Sequence, residues 1–430
     1  MTPPPPPPPS AETLVLPARS ALQRVRDRGG LRGILPLLGP AFVAAIAYVD
    51  PGNFATNIQG GSRYGYLLIW VVVAANLMAM LVQWLSAKVG IATGRNLAEI
   101  CRERYPRSVS YGLWIQAELI AMSTDMAEFV GAALALNLLF GVPLFPSGLI
   151  TAVVAFGVLG LQRRGFRWFE IAITGLFGVI LLGFLYDTLR IGGDAGGLAQ
   201  GLIPGFAGSD SVLLAVGILG ATVMPHVIWL HSAMTQERIT PRDDDEKRTL
   251  LRFQRVDVIV AMSLAGLANM AMLSIAAALF HGSGRLGVDS ITGAHHGFEV
   301  LAGKGSAIAF ALALLASGFA SSSVGTYAGQ VVMRGFIQRS IPLALRRGLT
   351  MAPALIVLGA GVDPTRALVF SQVILSFGIP FALIPLVLLS SRREVMGELV
   401  NKRLTTVVAS VVAAMVVVLN VFLLGDAVLG

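Results

Sequence analysis

Long apolar runs dominate this chain of 430 residues and leave it few folds to adopt. Windows of about 20 mainly apolar residues recur about eleven times between Ile34 and Leu424, and each is long enough to cross a bilayer as a helix. The runs are too long for strands and lack period-two alternation, which excludes a transmembrane barrel. Overall, 55% of the residues are hydrophobic and 13% charged, so an ordinary soluble domain is excluded as well. The expected fold is an all-α polytopic membrane protein.

The net charge of +8 would point to nucleic acid in a soluble protein. In a membrane protein the position of each charge carries more information than the total. Arg19, Arg24, Arg26, Arg28 and Arg32 precede the first span. The even-numbered loops hold Arg102, Arg104 and Arg107; Arg163, Arg164 and Arg167; the cluster from Arg238 to Arg255; Arg346 and Arg347; and Arg392 and Arg393. The odd-numbered loops hold only Arg63, Arg190, Arg285, Lys304 and Arg366. Basic residues concentrate on the cytoplasmic side, so this bias predicts a cytoplasmic N-terminus and a C-terminus outside, in the cytoplasmic (inner) membrane. Cys101 is the single cysteine, which excludes an intramolecular disulfide and a thiolate cluster.

Pro3 to Pro9 read as a disordered polyproline segment. No apolar core of a cleavable signal peptide precedes the first span, so that span is expected to act as the targeting signal. The predicted organisation is a basic cytoplasmic segment over 1–33, five spans over 34–190, five more over 211–391, and an eleventh over 404–430. The segment 235–255 reads as a charged, solvated loop, and 187–211 as a glycine-rich one.

The first span is interrupted by Asp50-Pro51-Gly52-Asn53. An ionisable group near a bilayer centre costs roughly 2.5 to 3.5 kcal/mol, and a proline inside a helix costs about 3 kcal/mol more. A bound cation would offset such a cost. The sixth span is broken in a similar way by Met224-Pro225-His226. Five spans separate the two starts, so a second set of five folded like the first would be inverted in the membrane. Paired interrupted segments of this kind point to a transporter's midplane site.

Each proline leaves the carbonyl four residues earlier without a donor, here those of Ala47 and Ala221. Irregular backbone is tolerated in lipid only where it lines a cavity or is buried in protein. The two breaks therefore bring together the Asp50 carboxylate, the Asn53 amide oxygen, the Met224 thioether and two carbonyls, with Gly52 read as the residue that lets the chain bend. Calcium and magnesium take oxygen ligands, whereas later transition ions accept sulfur, so Met224 argues for manganese or ferrous iron.

On these residues, and on His231-Ser232 in the sixth span with the span count and spacing from about Gly39 onward, the chain resembles the Nramp divalent-metal and proton symporters, in particular the bacterial manganese importers. The resemblance implies the inverted five-plus-five, LeuT-like architecture with broken helices one and six. It implies that Asp50, Asn53, Met224 and the Ala221 carbonyl bind metal, with Gln372 of the tenth span approaching in some states. Val227 stands where many eukaryotic members carry asparagine, and the twelfth span common in those members is absent. Both departures favour the bacterial type.

Glu118, Asp125 and Glu128 share one face of the third span through spacings of seven and three residues. Arg346 and Arg347 can balance them, and the resemblance runs the family's proton route from the metal-site aspartate through acids of this span. An alternative role for these groups is an ion-pair strut between helices. His226 lies close enough to tune Asp50 or accept a proton, or it donates to a neighbouring span. His231 is placed to gate the inner vestibule. His281, His295 and His296 read as surface residues, and Asn76, Asn269 and Asn420 as helix-to-helix hydrogen bonds.

The expected substrates are Mn2+ or Fe2+ and H+, with no permanently bound cofactor, no nucleic acid and a monomeric protein in the lipid bilayer. An enzyme is not expected. An intramembrane metalloprotease would need a glutamate between paired histidines, and none lies between His226 and His231. The alternative is an amino-acid or sodium symporter of the same fold, in which Asp50 would repel a substrate carboxylate. A passive channel suits two inverted broken helices less well than alternating access does.

Overall fold

The computed structural model describes residues 39–161, 166–236, 241, 243–281, 288, 290–339 and 341–429. The polyproline segment, the arginines from Arg19 to Arg32, and Ile34, Arg163, Arg164, Arg238 and Arg285 lie outside the described residues. In chain order the helices begin with α1 (Pro40–Ala47), α2 (Pro51–Tyr64), α3 (Ile69–Thr93), α4 (Leu97–Arg104), α5 (Arg107–Phe140), α6 (Leu144–Gly160) and α7 (Phe166–Ile191). After α8 (Ala195–Gly201) come α9 (Ser209–Thr222), α10 (Pro225–Met234), α11 (Asp244–Phe280), α12 (Ile291–Ala302) and α13 (Lys304–Ile337). The chain ends with α14 (Leu343–Gly359), α15 (Pro364–Ser390), α16 (Arg393–Met396) and α17 (Arg403–Leu429).

Among the described residues, eight helical segments are long and apolar enough to cross a membrane: α3, α5, α7, α9 with α10, α11, α13, α15 and α17. The divided pair α1 and α2, α6 and α14 are shorter pieces. The regular elements named are all helical, which matches the fold class expected from the apolar runs.

The connections between the apolar runs are partly helical, including both segments read as loops. α11 starts at Asp244, well before the apolar run, because Asp243 accepts from Glu246 N at 2.8 Å and acids fill the first turn. An aspartate at the cap and negative charge in the first turn both stabilise a helix start. A short α8, capped by Asp194, interrupts the glycine-rich connection, and α12, capped by Ser290, fills the one before α13. α14 likewise begins at Leu343, which puts Arg346 and Arg347 inside a helix. Both are buried, so they are not solvated loop charges of the kind the positive-inside count assumed.

Small residues let the central helices approach closely, as expected where lipid supplies no hydrophobic drive between them. A Cβ on Gly318 of α13 would lie 2.6 Å from Ala132 Cβ of α5, and one on Gly131 would overlap the Pro51 ring. Ser317 Oγ donates to the Val49 carbonyl at 2.6 Å, tying α13 to the unwound segment between α1 and α2. Phe54 packs against Phe184 and Phe310 at centroid distances of 5.2 and 5.8 Å, which anchors the first turn of α2 to α7 and α13. Asn420 and Ser376 exchange bonds of 2.7 and 2.8 Å between α17 and α15, as the sequence suggested. Asn76 does not fulfil that expectation: it packs on Gly266, with its Oδ1 lacking a partner.

Candidate functional site

The first break lies at Tyr48–Asp50. α1 closes with the Tyr48 and Val49 amides bonded to Ala45 and Ile46, and Pro51 offers no amide to the Ala47 carbonyl. Asp50 is the N-cap of α2, its Oδ1 accepting from Asn53 N at 2.8 Å. The second break has the same form. α9 ends at Thr222, and Met224, fully buried and extended at φ −75° and ψ 119°, is the N-cap of α10 ahead of Pro225. Two helix C-termini and two N-termini therefore end at the breaks, so freed carbonyls and a carboxylate lie beside amide-rich helix starts.

One end of the Asn53 amide stands 2.7 Å from Asp50 Oδ1 and 3.2 Å from the Ala221 carbonyl. With nitrogen at that end, both contacts are hydrogen bonds. With oxygen there, it accepts from Asp50 N at 3.4 Å and three oxygens from both breaks converge, the arrangement a cation requires. The two breaks thus place one carboxylate, one side-chain amide and one backbone carbonyl within hydrogen-bond distance of one another. Among the described residues no group of three or more His, Cys, Asp or Glu could hold a metal, so a site here depends on this single carboxylate with neutral oxygens and sulfur.

Gln372 of α15 reaches the same place, with Nε2 3.4 Å from Asp50 Oδ2 and 3.2 Å from Ser371 Oγ, while its Oε1 has no partner. The close approach depends on glycine twice. A Cβ on Gly52 would overlap the Gln372 side chain, and one on Gly220 of α9 would overlap the Gln372 carbonyl oxygen. Gly52 is helical and has no positive φ. Its role is to make room for Gln372 rather than to bend the chain, which corrects the sequence-based expectation.

The three acids of α5 separate into two environments. Arg346 grips Glu118 through both guanidinium nitrogens, at 2.6 and 3.2 Å. Arg347 instead donates to Thr326 Oγ1 at 2.6 Å, to Ser322 Oγ at 2.7 Å and to the Ser322 carbonyl at 3.3 Å, with Phe129 and Phe156 on its faces. Asp125 and Glu128 are buried beside Gly325 of α13, where a Cβ would lie 3.0 Å from Glu128 Oε2 and 3.3 Å from Asp125 Oδ1. Neither forms a direct ion pair with Arg347 among the described residues. Of the two arginines read as balancing these acids, only Arg346 makes a direct ion pair with one of them among the described residues.

His226 Nδ1 faces Thr124 Oγ1 at 3.4 Å, next to Asp125, and its buried Nε2 has no partner. His231 lies in a chain of polar groups. Its Nδ1 is 2.8 Å from Gln83 Oε1, and Gln83 Nε2 donates to the Tyr48 hydroxyl. Its Nε2 is 3.2 Å from Gln254 Nε2, which also donates to Asp257 Oδ2 at 3.1 Å. Asp257 in turn accepts from the Gly39 and Ala41 amides at 3.1 and 3.0 Å, capping α1. Asn269 bridges the first break, donating to the Tyr48 carbonyl at 2.8 Å and accepting from Asn57 at 2.9 Å. Ser232 accepts from Leu97 N at 2.9 Å and so fixes the start of α4.

Tyr48, Gln83, Gln254 and Asp257 were not identified from the sequence. Asp257 and Gln83 do carry a signal, since each is a polar group in or beside an apolar run. His281 and His296 are exposed and His295 is half-buried. Cys101 is buried in α4, where desolvation pushes its thiol up and makes it a poor nucleophile.

The model of the Nramp family, described as natural resistance-associated macrophage protein-like, matches residues 41–426. The chain is 52% identical over 413 residues to the divalent metal cation transporter MntH of Bacillus subtilis, covering 95% of this chain and 97% of that one. Against the MntH of Deinococcus radiodurans it is 53% identical over 409 residues, covering 95% and 94%. Among solved structures, a mutant of the Eremococcus coleocola manganese transporter superposes with a TM-score of 0.82 at 34% identity, over 92% of this chain and 87% of that one. Mhp1, a nucleobase-cation-symport-1 family transporter, gives 0.60 at 16% identity, over 81% and 77%, and shares the fold.

Proposed function

This chain belongs to the Nramp family, and we propose that it imports divalent transition-metal ions, manganese and ferrous iron, together with protons. The observation that carries the proposal is the meeting of Asp50, Asn53 and the Ala221 carbonyl between the two broken spans, with the Asn53 amide 2.7 and 3.2 Å from the other two. Met224 and the Ala47 carbonyl complete the ligand set, and Gln372 joins when α15 closes on the site. The names borne by the curated and solved relatives support a divalent metal, and manganese in particular, as the substrate.

Transport proceeds by alternating access between two inverted five-helix repeats, 34–190 and 211–391, with 404–430 outside the repeat. The protein sits in the cytoplasmic membrane as a monomer, N-terminus inside and C-terminus outside, and binds no permanent cofactor. Metal and proton enter from outside, the outer vestibule closes, and α1 and α10 swing to open the inner side. Protons leave Asp50 for Asp125 and Glu128, with His226 beside them, and pass on toward Glu118 under the influence of Arg346 and Arg347. His231 gates the inner vestibule through its bonds to Gln83 and Gln254.

The same fold hosts organic substrates in Mhp1. A carboxylate at the break disfavours an amino-acid substrate, and such a substrate would leave Met224 without a purpose, so the symporter alternative carries less.

Uptake into proteoliposomes with a panel of divalent ions and an internal pH dye tests the proposal. Saturable, acid-stimulated manganese entry is the expected result. Asp50→Ala is expected to abolish it, and normal manganese uptake by that variant would remove Asp50 from the site.

A further inference from the structure

Between α2, α9, α15 and α17 lies a cleft of about 610 Å³, within the range of small-ligand sites. Arg63 at the end of α2 and Arg366 at the start of α15 line its mouth, with Asp210 at the start of α9. All three are exposed. Among the described residues neither Arg366 nor Asp210 has an ion-pair partner.

Below this charged rim the walls are apolar apart from Gln59, one turn below Arg63. Phe370 lies one turn deeper than Arg366, Phe377 lies about 16 Å deeper at the helical rise, and Leu424 faces them from α17. One leaflet of a bilayer core is about 15 Å thick. Two cations and one anion at the helix ends, above an apolar wall one leaflet deep, reproduce the order of groups in a phospholipid. The phosphate meets the arginines, a head-group ammonium meets the carboxylate, and an acyl chain lies along the phenylalanines.

We infer that this cleft binds a phospholipid with a primary-amine head group, of the phosphatidylethanolamine class, between the α2 and α9 ends and the α15–α17 pair. Arg63 and Arg366 hold the phosphate, and Asp210 accepts from the ammonium. Charge complementarity selects this occupant. A free phosphate would leave Asp210 facing an anion and the apolar wall unused. A phosphatidylglycerol head group offers Asp210 no cation, and a choline head group offers it no N–H donor.

Native mass spectrometry of the full chain in detergent, titrated separately with phosphatidylethanolamine, phosphatidylglycerol, phosphatidylcholine and inorganic phosphate, tests the inference. The wild type is expected to retain phosphatidylethanolamine in preference to the others. Arg63→Gln with Arg366→Gln is expected to lower that occupancy roughly fivefold, the scale of losing two exposed charge contacts. Asp210→Asn is expected to abolish the preference over phosphatidylcholine. Arg366→Gln alone, an exposed substitution that leaves folding intact, is expected to lower occupancy in the same direction. Arg190→Gln, at the end of α7 and outside the cleft, is expected to change nothing. Equal retention by the double variant, or equal retention of the other lipids or phosphate by the wild type, would overturn the inference.

Discussion

The Gln372 side chain fills the space that a Cβ on Gly52 would need, and its amide thereby comes within 3.4 Å of Asp50. Gly52→Ala is therefore expected to displace Gln372 and distort α2 at its first turn. Overpacking of this kind costs about 1 to 3 kcal/mol, and 1.4 kcal/mol at the site corresponds to about tenfold in binding. Manganese uptake in proteoliposomes should fall accordingly, and Gln372→Ala in the same chain should restore part of it. Full uptake by Gly52→Ala would show that Gln372 does not need this position.

Met224→Ala leaves the oxygen ligands in place and removes the only sulfur. The variant is expected to admit calcium, because oxygen donors alone do not discriminate against it. Competition of calcium with manganese uptake measures the change. Continued exclusion of calcium by a variant that still carries manganese would assign selectivity elsewhere.

Arg346 and Glu118 form a two-pronged pair whose arginine is 3% exposed and whose acid is 19% exposed. Removing either partner leaves the other poorly solvated. Single variants Arg346→Gln and Glu118→Gln are expected to lower the thermal midpoint in detergent, and the double variant to lower it by less than their sum. A coupling of about 1 to 3 kcal/mol is the expected scale for contacting residues. Additive effects would mean that the pair does not act as a unit.

Asp125 and Glu128 have buried oxygens without partners, unlike Glu118. Glu128→Gln and Asp125→Asn are expected to reduce the acidification proposed to accompany metal entry, read by a pH dye inside the vesicles. The thermal midpoint should fall less than in Arg346→Gln, because no ion pair is lost. Unchanged proton flux in both variants would place the route away from α5.

Much of this was readable from residues alone. Pro51 and Pro225 reveal the breaks because each stands beside polar or sulfur-bearing groups in an apolar run, whereas Pro353, Pro380 and Pro385 have apolar neighbours and lie inside continuous helices. The pairing of Arg346 with Glu118 was not readable, since both adjacent arginines precede the same apolar stretch and only packing turns one toward the acid. Gly52 was misread because a glycine beside a proline suggests backbone freedom, whereas its purpose depends on a helix more than three hundred residues away. Gln83, Gln254 and Asp257 went unnoticed for a related reason: each looks incidental until the fold places it beside His231.

The polar chain from Tyr48 through Gln83, His231 and Gln254 to Asp257 fastens both ends of α1, a helix of only 8 residues. A rod this short, held at both ends, is expected to move as one body when those bonds give. A distance probe between α1 and α11 should therefore jump between two fixed values rather than drift, with dwell times that lengthen when Gln83 or Gln254 is intact.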